Sequence, residues 1–201
     1  MNHPTIQRVR HELKLRELEV ARIERLSPGF LAITFKGEAL ADFTSLSFDD
    51  HVKLMFDDEG AQVRRDYTPR RFSREARELT LEFALHGEGQ ASSWACRAVV
   101  GQRALVGGPR GSLVIPLDLD WHLLAGDASA LPAIARRLEE LPDGAQAQVI
   151  VLADAGDQRP CPAAPTPPST GSWTPTTCWR CWRSSTCRPA RVSPGPPAKP
   201  R

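Results

Sequence analysis

The chain has 201 residues, 41% of them hydrophobic and 25% charged, which suits one large globular domain or two small ones. Basic and acidic residues number 26 and 24, for a net charge of +2. No run of about 18 apolar residues offers a membrane-spanning helix, and the polar first 19 residues lack the apolar stretch of a secretory signal. The expectation is a cytoplasmic protein with no membrane and no nucleic acid among its partners.

Residues 1–14 read as an N-terminal extension. From residue 15 the pattern is rich in strands. LEVARIERLSPGFLAITFKG alternates apolar and polar residues on either side of Ser27-Pro28-Gly29, the signature of a hairpin. HVKLMF (51–56) reads as a further strand, turning at Asp57-Asp58-Glu59-Gly60 and returning through RRDYTPRRF. LTLEFALHG (79–87) is another strand, ASSWACRAV (91–99) a short helix, and RALVGGPRGSL a last strand with a glycine-rich bend. Closely spaced strands punctuated by Gly and Pro predict an antiparallel β-barrel over 15–119.

At residue 120 the grammar changes to strand, helix, strand. WHLLAGD is a short buried strand, and LPAIARRLEELP follows as a helix with Pro132 in its first turn, where a missing N–H costs little. Leu131, Ile134, Ala135, Leu138 and Leu141 fall on one face, which leaves Arg136, Arg137, Glu139 and Glu140 expected to face water. After the Pro142-Asp143-Gly144 break, AQVIVLAD is the next buried strand. Residues 120–157 thus read as the start of a nucleotide-binding α/β layer. Ile150, Val151 and Leu152 are expected to be exposed on its unfinished sheet edge. The helix N-terminus after the first strand suits an anionic ligand.

Composition breaks near residue 158. The first 157 residues carry a net charge of −5 and the last 44 carry +7, with no acidic residue among them. That tail holds four of the five cysteines, three of the five tryptophans and 11 of the 18 prolines. Its only Leu, Ile, Val, Met or Phe is Val192, too little apolar surface to offset chain ordering at about 1–2 kcal/mol per residue. Residues 158–201 are therefore expected to be disordered. Cys178 and Cys181, with Cys161 and Cys187, have irregular spacings for zinc, so no metal site is expected. The genetic code offers a different account. Cys and Trp codons begin with TG, and in the frame that starts on the preceding base each becomes Leu, Val or Met. Positions 178, 179, 181 and 182 then form one apolar helical stripe, which points to a frameshift.

The segment Arg65-Asp66-Tyr67-Thr68-Pro69-Arg70-Arg71 is the most informative in the chain. With Arg64 just before it, it surrounds the only tyrosine with four arginines and a threonine. An aromatic ring, a hydroxyl and guanidinium groups suit a flat heterocycle carrying a pyrophosphate. Composition alone favours a solvated Arg-rich strand with one half-buried tyrosine.

Arg65-x-Tyr67-Thr68-x-Arg70 resembles the flavin motif of the siderophore-interacting protein family, a branch of the ferredoxin reductase-like flavoproteins. LEFALHGEGQASSWA, Gly108-Pro109-Arg110-Gly111-Ser112, and Gly126-Asp127 with Ala130-Leu131-Pro132-Ala133-Ile134 resemble its later signatures, in order. The likeness covers about residues 15–157. It departs at Gln90, which stands in place of Pro, and at Ala128-Ser129, in place of Glu-Thr.

The resemblance implies an antiparallel FAD-binding β-barrel followed by an incomplete Rossmann-like NAD(P)-binding α/β domain. Arg65 would bind an FAD phosphate, Tyr67 would pack on the isoalloxazine, Thr68 would hydrogen-bond near its reactive edge, and Arg70 is expected among the cofactor-binding residues. Backbone N–H groups of Ala91, Ser92 and Ser93 would hold the pyrophosphate, and Gly126 and Asp127 would meet the nicotinamide nucleotide. His86 lies near the flavin or is a hydrogen-bonded strand-end residue. Trp94 is expected in the core. The implied activity is an FAD-dependent oxidoreductase passing electrons from NAD(P)H to a ferric siderophore to release iron(II), acting as a monomer with no side-chain acid or base named as catalytic. The alternatives are a non-catalytic FAD- or siderophore-binding protein and an unstable product.

Overall fold

The computed structural model describes residues 5–58, 60–85, 89–157 and 179–181. Its main element is a seven-stranded sheet built from β2 (Leu15–Ser27), β3 (Phe30–Lys36), β4 (Val52–Asp58), β5 (Ala61–Tyr67), β6 (Arg71–Ser73), β7 (Glu78–Ala84) and β8 (Arg103–Gly107). The strand order is β5-β4-β8-β2-β3-β7-β6, and every pairing is antiparallel.

Strands β5 and β6 are consecutive in the chain yet lie at opposite edges of this sheet. A flat sheet would hold those edges roughly 29 Å apart, at about 4.8 Å per strand spacing. Only Thr68, Pro69 and Arg70 connect them, and that length of chain reaches at most about 14 Å. The sheet must therefore curl until its two edges come within that reach, although they do not pair.

The curled interior is apolar. Leu18, Val20, Ile33, Phe35, Val52, Leu54, Leu79, Leu81, Phe83 and Val106 alternate inward along their strands. Helix α1 (Gln90–Arg97) closes one opening with Trp94, whose ring stacks on Phe56 at 4.7 Å. Trp94 is thus a core residue, as expected. The stretch expected to be a plain extension contributes β1 (Gln7–Arg10), which pairs antiparallel with β9 (Gly111–Val114). Its polar sequence, QRVR, carries no apolar alternation that could have announced it.

The second layer is parallel. β10 (His122–Asp127) pairs with β11 (Ala147–Leu152), and α2 (Leu131–Glu140) crosses between them. Leu131 and Ile134 of α2 pack on Leu124, Val149, Val151 and Phe30, the last from the barrel's β3. Residues Trp179–Cys181 form β12, parallel to β11, so one regular element falls in the tail that composition reads as disordered. The remaining tail residues, with Cys161, Cys178 and Cys187, lie outside the described residues.

Two expectations need correction. Ile150 and Leu152 are 47% and 48% exposed, but Val151 is buried, because the two-residue period of a strand turns it toward α2. Arg136 and Arg137 do not face water; they are 7% and 3% exposed. The barrel covers the face of α2 that the sheet leaves free. Arg137 donates to the carbonyls of Ile115 at 3.1 Å and Pro116 at 2.6 Å and lies over the Phe48 ring. Arg136 Nη1 donates to Ser45 Oγ at 2.7 Å and to the Pro69 carbonyl at 2.9 Å. A helix that is amphipathic toward one sheet alone would have left both guanidinium groups in solvent.

Buried acceptors left without a donor cost about 1–3 kcal/mol each. Arg137→Leu should therefore lower unfolding free energy by at least about 2 kcal/mol, read from the urea midpoint. A surface arginine would change it by no more than about 0.5 kcal/mol.

Candidate functional site

The three-residue link between the sheet edges opens onto a cleft of about 360 Å³, within the range of small-molecule sites. Its walls come from both layers. Arg65, Asp66, Tyr67 and Thr68 enter from the end of β5 and the link, Gly89–Ser92 from the start of α1, and Ser129 and Pro132 from the approach to α2. Phe30, Glu82 and Ala84 form the remaining wall.

The polar side of this cleft carries unpaired helical N–H groups and a guanidinium, a chemistry that suits an anion. Gly89 is the N-cap of α1 and no side chain caps the helix. The N–H groups of Gln90, Ala91 and Ser92 therefore lack intrahelical acceptors, and the helix dipole adds positive potential there. Arg65 reaches the same place. Its Nη2 donates to Gln90 Oε1 at 3.1 Å and its Nη1 to the Arg64 carbonyl at 2.8 Å. Gln90 thus supplies the acceptor that holds the guanidinium beside the helix start. Ser93, expected among the pyrophosphate-binding residues, is not in the lining; its N–H closes the first helical turn onto the Gly89 carbonyl at 2.9 Å.

Tyr67 supplies the aromatic wall. Its ring lies 4.4 Å from that of Phe83, and burial pushes its phenol up to about 12, partly opposed by the Arg65 charge. Asp66, beside it, is held by Lys53 at 2.8 Å. Thr68 is half-buried and lines the cleft.

Arg70 takes a different position from the other motif residues. It is absent from the lining and only 6% exposed. Nη1 and Nη2 form a fork on the Glu139 carboxylate of α2 at 2.7 and 2.5 Å, and Nε lies 3.2 Å from Glu82. Gly126 and Asp127 also lie outside the lining. A Cβ at Gly126 would collide with that of Ala130, so glycine permits the close approach of β10 to the turn after it. Asp127 Oδ1 accepts from Ser129 N at 2.9 Å and Ser129 Oγ at 2.6 Å, which caps that turn. His86 lies outside the described residues.

Sequence reasoning missed Phe30, Glu82 and Ala84. All three fall on strand faces opposite the barrel core, where the alternating pattern reads as solvent and gives no sign of a second layer packed outside.

A curled antiparallel sheet with a helix-closed opening, followed by a parallel α/β layer, is the ferredoxin reductase-like architecture. Solved structures that share it include the cytochrome b5 reductase domain of Ulva prolifera nitrate reductase, with a TM-score of 0.54 over 70% of this chain and 62% of that one at 15% identity. The particular family is fixed by sequence. A family model described as "Siderophore-interacting FAD-binding domain" matches residues 19–64 and 57–113, and one described as "Siderophore-interacting protein" matches residues 119–173. The chain belongs to the siderophore-interacting protein family.

Among its relatives is the NADPH-dependent ferric-chelate reductase of Escherichia coli, 44% identical over 154 residues, which are 67% of this chain and 60% of that protein. Ferric vibriobactin reductase ViuB of Vibrio cholerae is 31% identical over 159 residues, 69% of this chain and 59% of that protein. A siderophore utilization protein from T. fusca superposes with a TM-score of 0.74 at 35% identity, over 81% of this chain and 69% of that one. The chain spans about three fifths of the length of the curated relatives it matches.

Tyr67 is the sole tyrosine, so its titration can be read directly from ultraviolet absorbance. The midpoint should fall near 12 rather than 10. The folded state binds this proton more tightly than the unfolded state does. Its contribution to stability is therefore complete below pH 10 and is lost as the pH rises toward 12.

Proposed function

We propose that the chain binds FAD in the cleft and serves as an oxidoreductase that passes electrons from NAD(P)H to a ferric siderophore, releasing iron(II). The observation that carries this reading is the convergence of Arg65, Tyr67 and Thr68 on the uncapped start of α1. That donor set fits the cofactor: N–H groups and a guanidinium for the pyrophosphate, an aromatic ring and the apolar walls of Phe30, Ala84 and Pro132 for the flavin. Bound there, FAD would supply the conversion between two-electron and one-electron transfer.

The residues of this chain bind and orient. Arg65 and the Ala91 and Ser92 N–H groups would hold phosphate oxygens, Tyr67 would pack on the ring system, and Thr68 would offer it a hydrogen bond. Ser129 and Pro132 stand on the cleft's other wall, where the nicotinamide nucleotide would approach along the Gly126-Asp127 turn. Iron(II) is softer than iron(III) and is held less tightly by hard oxygen donors, so reduction loosens the metal from its chelate. The names of the E. coli and V. cholerae relatives support the ferric chelate as substrate. We place the protein in the cytoplasm as a monomer.

Purified protein loaded with FAD should oxidise NAD(P)H in a manner that depends on a ferric chelate, with iron(II) captured by a ferrous-specific dye. A hydrogen bond to a charged group contributes about 1.5–3 kcal/mol, so Arg65→Ala should weaken FAD binding by roughly 10- to 100-fold. Bound FAD with no nicotinamide-driven bleaching would instead identify a flavin-binding protein without turnover.

The reading-frame change near residue 158 is a second proposal, supported by the composition break and by the seven Cys and Trp positions that become Leu, Val or Met. Sequencing the DNA across codons 150 to 201 should find one base missing or added. An unaltered frame would overturn it.

A further inference from the structure

The second arginine of the motif points outward to the α/β layer rather than into the flavin cleft, and its surroundings give it a separate task. We propose that Arg70 is a positioning residue that shields the Glu82 carboxylate in the cleft wall and, through Glu139, locks α2 against the segment carrying Tyr67 and Thr68. It would thereby set both the electrostatics and the spacing of the flavin cleft. This rests on the reading of that cleft as the FAD site.

Three observations carry it. Glu82 lines the cleft and is 7% exposed, so its charge lies in a poorly solvated wall. It is ion-paired with Arg70, whose Nε is 3.2 Å away and whose side chain is equally buried. Removing that guanidinium would leave one positive charge fewer against the carboxylate beside the bound ring system.

The second observation is the planar fork on Glu139, which fixes direction as well as distance. Arg71 adds a bond to the same carboxylate at 3.1 Å, and Arg70 and Arg71 together hold the Glu139 carboxyl below its usual range. Third, the grip is doubled from the opposite direction. Arg136 of α2 donates to the carbonyl of Pro69, the residue between Thr68 and Arg70. Two arginines, one on each layer, thus clamp the same three-residue link to one helix. The other end of that helix brings Pro132 into the cleft.

The four side chains Arg70, Arg71, Glu82 and Glu139 sum to zero charge, and removing one member shifts the balance in a direction fixed by its sign. Reduced flavin is more electron-rich than oxidised flavin, so a lost cation disfavours the reduced form and a lost anion favours it. Arg70→Gln should lower the midpoint potential of bound FAD, while Glu82→Gln and Glu139→Gln should raise it. A tenfold change in relative affinity for the two redox forms corresponds to about 30 mV for a two-electron couple. Arg70→Lys keeps the charge but loses the fork. It should leave the potential near the wild-type value while weakening FAD binding severalfold.

The test is a spectroelectrochemical titration of FAD-loaded wild type and these variants, alongside FAD binding followed by flavin fluorescence. Opposite displacements for Arg70→Gln and Glu139→Gln, with Arg70→Lys near wild type in potential, support the proposal. A merely structural clamp would alter unfolding without this sign reversal, and unchanged potentials in FAD-loaded variants would overturn the proposal alone. If Arg70→Gln does not fold, the half-exposed Glu139→Gln decides the question by itself: a potential that fails to rise refutes the proposal. Failure of wild type to take up FAD would overturn the flavin reading and this inference with it.

Discussion

Three residues joining opposite edges of a seven-stranded sheet constrain the rest of the molecule. Because Thr68, Pro69 and Arg70 are the whole connection between β5 and β6, the sheet has to curl, and the link has to lie across the gap where its edges face each other. The link's polar groups are satisfied from both layers: the Arg70 N–H extends the β6–β7 ladder onto the Thr80 carbonyl at 3.0 Å, and the Pro69 carbonyl accepts from Arg136 of α2. A cleft forms at this gap because ladder hydrogen bonding stops there, and the side chains around it are free to serve a ligand.

The same constraint explains why the site belongs to neither layer alone. The barrel packs one apolar cluster inside its curl, and the α/β layer packs a second around Leu131, Ile134, Val149 and Val151. Phe30 belongs to the second cluster although its strand belongs to the first sheet, so β3 is buried on both faces. Between the clusters runs a polar joint of Arg70, Arg136, Arg137, Glu139, Ser45 and Asp50. Ser45 Oγ accepts from Arg136 and donates to Asp50 at 2.8 Å, and Ser112 Oγ donates to the same Asp50 oxygen at 2.7 Å. The network carries the contact from α2 deep into the loops beside the barrel.

Much of this was legible in the sequence, and the parts that were not share one cause. The β2–β3 hairpin, the β7 strand, both helices and the change from antiparallel to parallel grammar announced themselves by period, by turn chemistry or by a glycine or proline at a boundary. Arg65, Tyr67 and Thr68 lie in the cleft, with Ala91 and Ser92 across from them. What periodicity could not disclose is packing between layers that are distant in sequence. Arg136 and Arg137 looked like a solvated helix face and Glu82 like a solvated strand position, because a one-dimensional pattern records only whether a residue fits its own element. Arg70 illustrates the same limit. It shares the motif with Arg65, but the backbone leaves β5 at Tyr67 and turns the Arg70 side chain toward the other layer. β1 escaped notice because a short edge strand of polar residues has almost no apolar signature.

The polar character of the joint bears on how the site keeps its shape. Buried ion pairs contribute little net stability, since desolvation consumes most of the attraction, and an apolar joint of equal area would hold the layers together at least as well. Apolar contact, however, is non-directional and permits sliding over a range of angles. A guanidinium fork on a carboxylate permits one. A cleft walled on one side by Tyr67 and Thr68 and on the other by Ser129 and Pro132 has a width set by the angle between the layers. The charged joint is therefore where that width is decided, at residues with no need to touch the ligand themselves.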